Sequence, residues 1–368
     1  MKKLVFAVLA IGAMAACTKQ NVQLDLQREL TFAPVAKKAT KAAVDGATYP
    51  TDETFNVWAW YGSDPARTSA TTNFTTEYIV EGGFKKNGVT WAGWNGTAHS
   101  PYYWPTTGSL FFAGYSPASA KDSADSFAYN LQTKTLTVTN YVQSNVISET
   151  KDLMWFDATE SYDQETAEDG VPAVFQHALS WLTFKFKLAS GAPADNWKIT
   201  QVELKGIENM STFTATNGTG TWGTLTHNNV DKNDETNETN IVVYSGATSP
   251  TTEGVVLENT AGASVSVGAV LVIPQSCAYT DKTTNDASLV ITYNLKNPAY
   301  TDGSSLIQEW ITGQTRTLPL NGTNVGNAWV AGKHYTYTIT FGANEILIAP
   351  TVDNWETVTQ SVDVQENI

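Results

Sequence analysis

Apolar residues occupy every second position in run after run of this 368-residue chain, and no 3.6-residue apolar period persists beyond its first sixteen residues. Such alternation marks half-buried β-strands. The clearest run is Tyr335, Tyr337, Ile339 and Phe341, separated by Thr336, Thr338 and Thr340. Leu182, Phe184, Phe186 and Leu188 repeat it, and Ile199–Ile207, with Val202 and Leu204 facing in, is the expected pairing partner. Further strands are predicted over 55–61, 102–105, 110–117, 241–244, 264–274 and 289–295, divided by Gly, Pro, Asn and Thr turns. Pro105 and Pro117 end their strands because proline cannot donate to a ladder. The polar stretch 217–240 reads as a long loop or hairpin tip, and acidic 160–169 as a solvated loop.

The two ends carry matching patterns. Val22, Leu24, Leu26, Leu30 and Phe32 share even positions, which predicts one amphipathic strand. Ile346, Ile348, Val352, Val358, Val362 and Val364 do the same in the tail, interrupted at Pro350 and Trp355. Ahead of the first strand stand Lys2 and Lys3, the apolar run Leu4–Met14, and Ala15-Ala16-Cys17. That is the order of a secretory signal with a small-residue cleavage site, too short to span a bilayer. Behind the strand, Pro34 leads into Lys37-Lys38-Ala39-Thr40-Lys41. A basic, unpatterned linker suits a trypsin-like protease, with Lys41 or the upstream Arg28 as cut site, although taken by itself it fits a plain solvated loop better.

Length changes the picture from one core to two, since a chain this long divides into domains of roughly 150 to 180 residues. The expected class is all-β with two consecutive β-sandwich domains. The expected division is a signal over 1–16, a strand and basic linker over 17–49, an N-terminal sandwich over 50–170 and a C-terminal sandwich over 171–368 ending in a terminal strand. A net charge of −14 argues against a nucleic-acid partner, which requires clustered Lys and Arg. Two cysteines make no disulfide framework, and Cys277 beyond the signal is expected as a buried small hydrophobe.

The aromatic density around 102–115 suits core packing, because the rings fall inside strand periodicity, or else sugar stacking. Trp91 and Trp94, flanked by Gly and Asn, are the better candidates for exposed aromatics. His99, His177, His227 and His334 lie far apart with no metal-ligand spacing, and His177 and His334 fall in strand patterns where packing or hydrogen bonding is expected. No phosphate-binding glycine loop, nucleophile elbow or Cys-His pairing is present, so neither an enzyme nor a cofactor is expected.

The order of several short motifs resembles the fimbrillin family, pilin-type lipoproteins of Bacteroides-like bacteria that build type V pili. These are Ala15-Ala16-Cys17, Leu30-Thr31-Phe32 ahead of a basic linker, Tyr103-Trp104-Pro105 and Phe112-Ala113-Gly114-Tyr115-Ser116-Pro117. They continue with Lys151-Asp152-Leu153-Met154, Phe175-Gln176-His177-Ala178-Leu179-Ser180, Trp329 with Gly332-Lys333-His334-Tyr335, and Val352-Asp353-Asn354-Trp355. The resemblance implies transthyretin-like β-sandwiches and a lipid on Cys17 that holds the precursor at the outer membrane. It implies a cut that releases the strand of Leu30 and Phe32, and a donor strand of Ile346, Ile348, Val352, Val358, Val362 and Val364 from another copy or a related fimbrillin. The family's cut typically follows arginine, whereas the matching linker here offers Lys41. A stalk subunit of an adhesive fimbria that meets a host receptor is the reading that follows. A tip or anchor subunit shares the fold, and a monomeric glycan-binding surface lipoprotein is the alternative.

Overall fold

A computed structural model describes residues 22–36, 49–190, 192, 197–226, 239–246, 255–256, 264–277, 287–297, 299, 309–320, 327–342 and 346–354. In chain order the strands are β1 (Leu24–Glu29), β2 (Phe32–Ala36), β3 (Thr54–Gly62), β4 (Thr76–Asn87), β5 (Thr90–Trp94), β6 (Tyr103–Pro105) and β7 (Ser109–Ser116). β8 (Ser126–Asn130), β9 (Thr135–Val142), β10 (Met154–Asp157), β11 (Val171–His177), β12 (Ser180–Leu188), β13 (Trp197–Ile207), β14 (Met210–Thr216) and β15 (Thr219–Trp222) follow. β16 (Thr239–Ser245), β17 (Val255–Val256), β18 (Val265–Val272), β19 (Ser288–Lys296), β20 (Trp310–Pro319), β21 (Lys333–Phe341) and β22 (Ile346–Asn354) complete the chain. The all-β expectation holds.

In the N-terminal half, β10, β11, β2, β5, β4, β3 and β7 are hydrogen-bonded in that order, and β10 returns to β7, so the sheet closes on itself. Phe55, Phe84, Phe112, Phe156 and Phe175 fill its interior. A flanking sheet, β15-β14-β9-β8, packs against the same core. In the C-terminal half, sheets β18-β12-β21-β22 and β16-β13-β19-β20 enclose a second core that includes Leu182, Phe184, Ile199, Leu204, Leu289 and Tyr337.

One pairing differs from expectation. β12 does not pair with β13; it lies antiparallel to β18 and parallel to β21. Each strand is apolar on one face, and those two faces meet across the core instead of lying side by side. The stretch 217–240, expected as a long loop or hairpin tip, begins as a hairpin: Asn217 and Gly218, with φ of 49° and 79°, turn the chain between β14 and β15. Left-handed Asn-Gly is the preferred two-residue hairpin turn. That hairpin joins β9, and β11 joins the barrel, so the N-terminal sheets recruit strands from beyond residue 170. Polar contacts tie the halves together, including Ile273 N–H to Gln143 Oε1 at 3.0 Å.

Candidate functional site

The amphipathic run Val22–Phe32 is not one strand. It is split at Leu30-Thr31 into β1 and β2, which belong to different sheets. β1 forms a small antiparallel pair with β6, irregular between Asp25 and Glu29, and leaves Leu26 66% exposed. Leu30 N–H donates to Tyr102 O at 2.8 Å, and Val171 N–H to Thr31 O at 2.9 Å, so the chain changes neighbours where it changes sheet. The period of two therefore continues through a break in the structure. Only from Leu30 onward does it point into a core.

β2 closes the barrel. It runs parallel to β11 over five paired positions, Val171↔Phe32 to Phe175↔Ala36, and meets β5 at one, Phe32↔Trp91. Leu30 is fully buried, Phe32 is 2% exposed, Pro34 is buried, and Ala33 faces outward. The Phe32 ring has Phe84, Phe112, Phe55 and Phe156 around it at centroid distances of 4.6, 5.4, 5.6 and 6.2 Å, all edge-on. Each such pair adds about 0.5–1.5 kcal/mol beyond area burial. Gly170, at φ 95°, lets β11 approach this strand: a Cβ there would stand 2.9 Å from the Phe32 carbonyl carbon.

Past the linker, Tyr49 re-enters the same core. Its ring lies 4.9 Å from Trp91 and 5.2 Å from Phe175, and its hydroxyl hydrogen-bonds Ser116 Oγ at 2.5 Å. Burial raises its pKa above the usual tyrosine value. The basic linker is thus held at both ends by buried residues, Pro34 before it and Tyr49 after it. Sequence reasoning missed Tyr49 and Gly170; an Asp-Gly pair directly before an apolar strand was the available signal for the second.

Cys17, Lys41, Val358, Val362 and Val364 lie outside the described residues, as does His227. Arg28 is exposed on β1. β22 is an edge strand that pairs with β21 at nine positions, from Lys333↔Asn354 to Phe341↔Ile346. Ile346 is buried, Ile348 and Val352 are half-buried against the second core, and Leu347 is exposed. The structure does not bring β22 to β2: they belong to different sheets.

Trp91 is not an exposed aromatic. It lies in the barrel core, 7% exposed, because its face of β5 points at Tyr49 and Phe55. Trp94 is half-buried, with the Lys85 ammonium 5.1 Å from its ring. His177 Nδ1 contacts Asp152 Oδ1 at 3.0 Å, and His334 Nε2 contacts Thr183 Oγ1 at 2.8 Å. Cys277 is fully buried, which pushes its thiol pKa up to about 11. Among the described residues no cluster of His, Cys, Asp and Glu could hold a metal, and no helix is long and apolar enough to cross a membrane.

No curated protein matches the chain in sequence. Its fold is similar to a fimbrial protein from Bacteroides vulgatus, at TM-score 0.57 and 17% identity over 88% of this chain and 99% of that one. A candidate cell adhesion protein from Bacteroides uniformis matches at TM-score 0.52 and 17% identity, covering 90% and 99%. One from Bacteroides ovatus matches at 0.50 and 14%, covering 91% and 99%. At these identities the likeness shows a shared fold. The fimbrillin-like family profile, which does not describe an enzyme family, matches residues 40–355, and the chain belongs to the fimbrillin-like family.

Proposed function

We propose that this protein is a structural subunit of an adhesive cell-surface fimbria, assembled by strand exchange between copies of itself or with related fimbrillins. The precursor is exported with its signal, acylated at Cys17 and held at the outer membrane. A trypsin-like protease then cuts in the basic linker at Lys41, and the released segment carrying Leu30 and Phe32 gives way to a terminal strand from another subunit; a cut at the exposed Arg28 trims β1 and leaves Leu30 and Phe32 attached. Each subunit gives and receives at different places, so the contact is head-to-tail and does not close, which yields a filament.

The observation that carries this reading is the position of β2. A strand central to the barrel core comes from the one stretch that a cut in the linker would detach. It is held by main-chain pairing and by roughly 1.5–3 kcal/mol for each large buried side chain, terms that a replacement strand can supply in turn. Residues 1–41 hold seven of the 22 basic and two of the 36 acidic residues, so the cut takes the formal charge from −14 to −19. Greater net charge favours solubility of the assembled material.

The test is the N-terminal residue of material sheared from cells. We expect it to follow the basic linker, in a ladder of oligomers on mild denaturing gels. Intact Cys17-bearing chains as the only mature form would overturn the proposal.

A further inference from the structure

Two hexapeptides at opposite ends of the chain share one pattern. Glu29-Leu30-Thr31-Phe32-Ala33-Pro34 and Glu345-Ile346-Leu347-Ile348-Ala349-Pro350 both read Glu, apolar, variable, apolar, Ala, Pro in the same direction. Their faces agree as well. Leu30 and Phe32 are buried while Ala33 faces out; Ile346 is buried and Ile348 half-buried while Leu347 and Ala349 face out. We infer that residues 346–350 of a second copy occupy the slot between β11 and β5 position for position, Ile346 for Leu30, Ile348 for Phe32 and Pro350 for Pro34. The inference rests on the strand exchange proposed above and narrows the donor to the first half of β22.

Other registers fail on named residues. A shift of one turns every side chain to the wrong face. A shift of two one way puts Asn344 into the fully buried Leu30 site. The same shift the other way puts Pro350 at Phe32, where β2 pairs with both Val171 and Trp91 and a strand without an N–H fits worst. Val352 at the Phe32 site would bring Asn354 to the buried Pro34 site. The tail valines do no better: Val358 brings Glu356 and Gln360 to the flanking sites, Val362 brings Gln360, and Val364 brings Glu366. An unpartnered carboxylate or amide in an apolar site is strongly disfavoured.

In the inferred register Val174, which faces Val35 in the uncut chain, faces Thr351 of the incoming copy. Val174 is 41% exposed and Thr351 is exposed, so cysteines at both are accessible. The experiment uses full chains carrying Val174→Cys with Thr351→Cys, Ala349→Cys or Asp353→Cys, processed and assembled on cells and then oxidised. A ladder of disulfide-linked oligomers is expected for Thr351→Cys alone, because a two-residue offset of about 7 Å exceeds disulfide reach. A ladder with either offset partner overturns the register and leaves strand exchange standing. Fibres that cross-link with none of the three overturn strand exchange by this tail.

A peptide competition covers variants that fail to assemble. Peptides spanning 344–353 as wild type, Ile348→Phe and Ile348→Asp are added to wild-type subunits during processing. Ile348→Phe, which restores the ring to a site lined by four rings, is expected to block elongation at about fivefold lower concentration than wild type, and Ile348→Asp not to block it. Equal inhibition by all three overturns the register.

Discussion

β2 and β22 carry nearly the same six-residue pattern and are held in opposite ways. β2 stands inside a closed sheet with neighbours on both sides, and its central side chain is ringed by four phenylalanines. β22 hangs on the edge of an open sheet, joined to β21 alone, and its matching side chain, Ile348, is half-buried. Sequence pattern sets which face of a strand is apolar, while topology sets how firmly the strand is held. Taking β22 away moves the edge of an open sheet inward to β21; taking β2 away opens a barrel. That asymmetry suits the strand exchange proposed above, in which β2 leaves a slot once the linker is cut and the loosely held β22 travels.

The largest expected effect tests the asymmetry directly. Phe32→Ala in the uncut chain removes the ring from the centre of a packed cluster and should cost about 3–5 kcal/mol. Ile348→Ala, at a half-buried edge position, should cost about 1–2 kcal/mol. Urea unfolding followed by tryptophan fluorescence measures both, and equal losses would erase the distinction between the strands. Next in size is Gly170→Ala, at about 2–3 kcal/mol. It combines a left-handed backbone with a methyl group 2.9 Å from the Phe32 carbonyl carbon. Gly313→Ala, also at positive φ but facing open space, should cost only about 1 kcal/mol. A Gly170 loss no larger than the Gly313 loss would mean that β11 does not press on β2.

Much of this was legible in the chain itself. Period-two runs located β12, β13 and β21, because a strand with one buried face must alternate. The same rule could not say which strands pair: β12 and β13 have equally apolar faces, and whether such faces meet side by side or across a core depends on the whole topology. It also ran through the break at Leu30-Thr31, since a strand that jogs from one sheet to another keeps its parity. Trp91 misled for a different reason. Gly and Asn neighbours suggest a loop, but Gly93 is needed inside β5, where a Cβ would lie 2.1 Å from Ser100 O. The importance of the first strand was visible in Leu30 and Phe32; the ring cluster around it required residues from β3, β4, β7 and β10, far apart in sequence.

Acid should act on the β22 side of the comparison through one partly buried ring. His334 lies on β21, the strand that carries β22, with its ring stacked 3.9 Å from Trp181. Burial, aided by nearby Lys185, lowers its pKa to about 4. The folded protein therefore keeps this ring neutral while the unfolded chain takes up a proton below about pH 6.5, so stability falls as pH drops from about 6.5 to 4. The full shift corresponds to about 3 kcal/mol; the partly open ring reduces the expected loss to about 1–2 kcal/mol. Melting of the C-terminal half should move down across that window, and His334→Gln should flatten the dependence. A drop of equal size in His334→Gln would assign the acid sensitivity elsewhere.

The smallest effect bears on where the held strand begins. Leu26 and Leu30 share parity, hydrophobicity and a place in the same alternating run, so periodicity alone treats them as equivalent. The structure separates them: Leu26 stands on β1 at 66% exposure, and Leu30 is fully buried at the threshold of the barrel. Leu26→Ala should change the urea-derived stability by less than about 0.5 kcal/mol. Leu30→Ala should cost about 2–5 kcal/mol. If Leu26→Ala cost as much as Leu30→Ala, β1 would be part of what fills the slot, and a donor that matches only residues 30–34 would be too short to replace it. A negligible Leu26 effect leaves β1 as an outer flap, and the segment that must be replaced starts at Leu30.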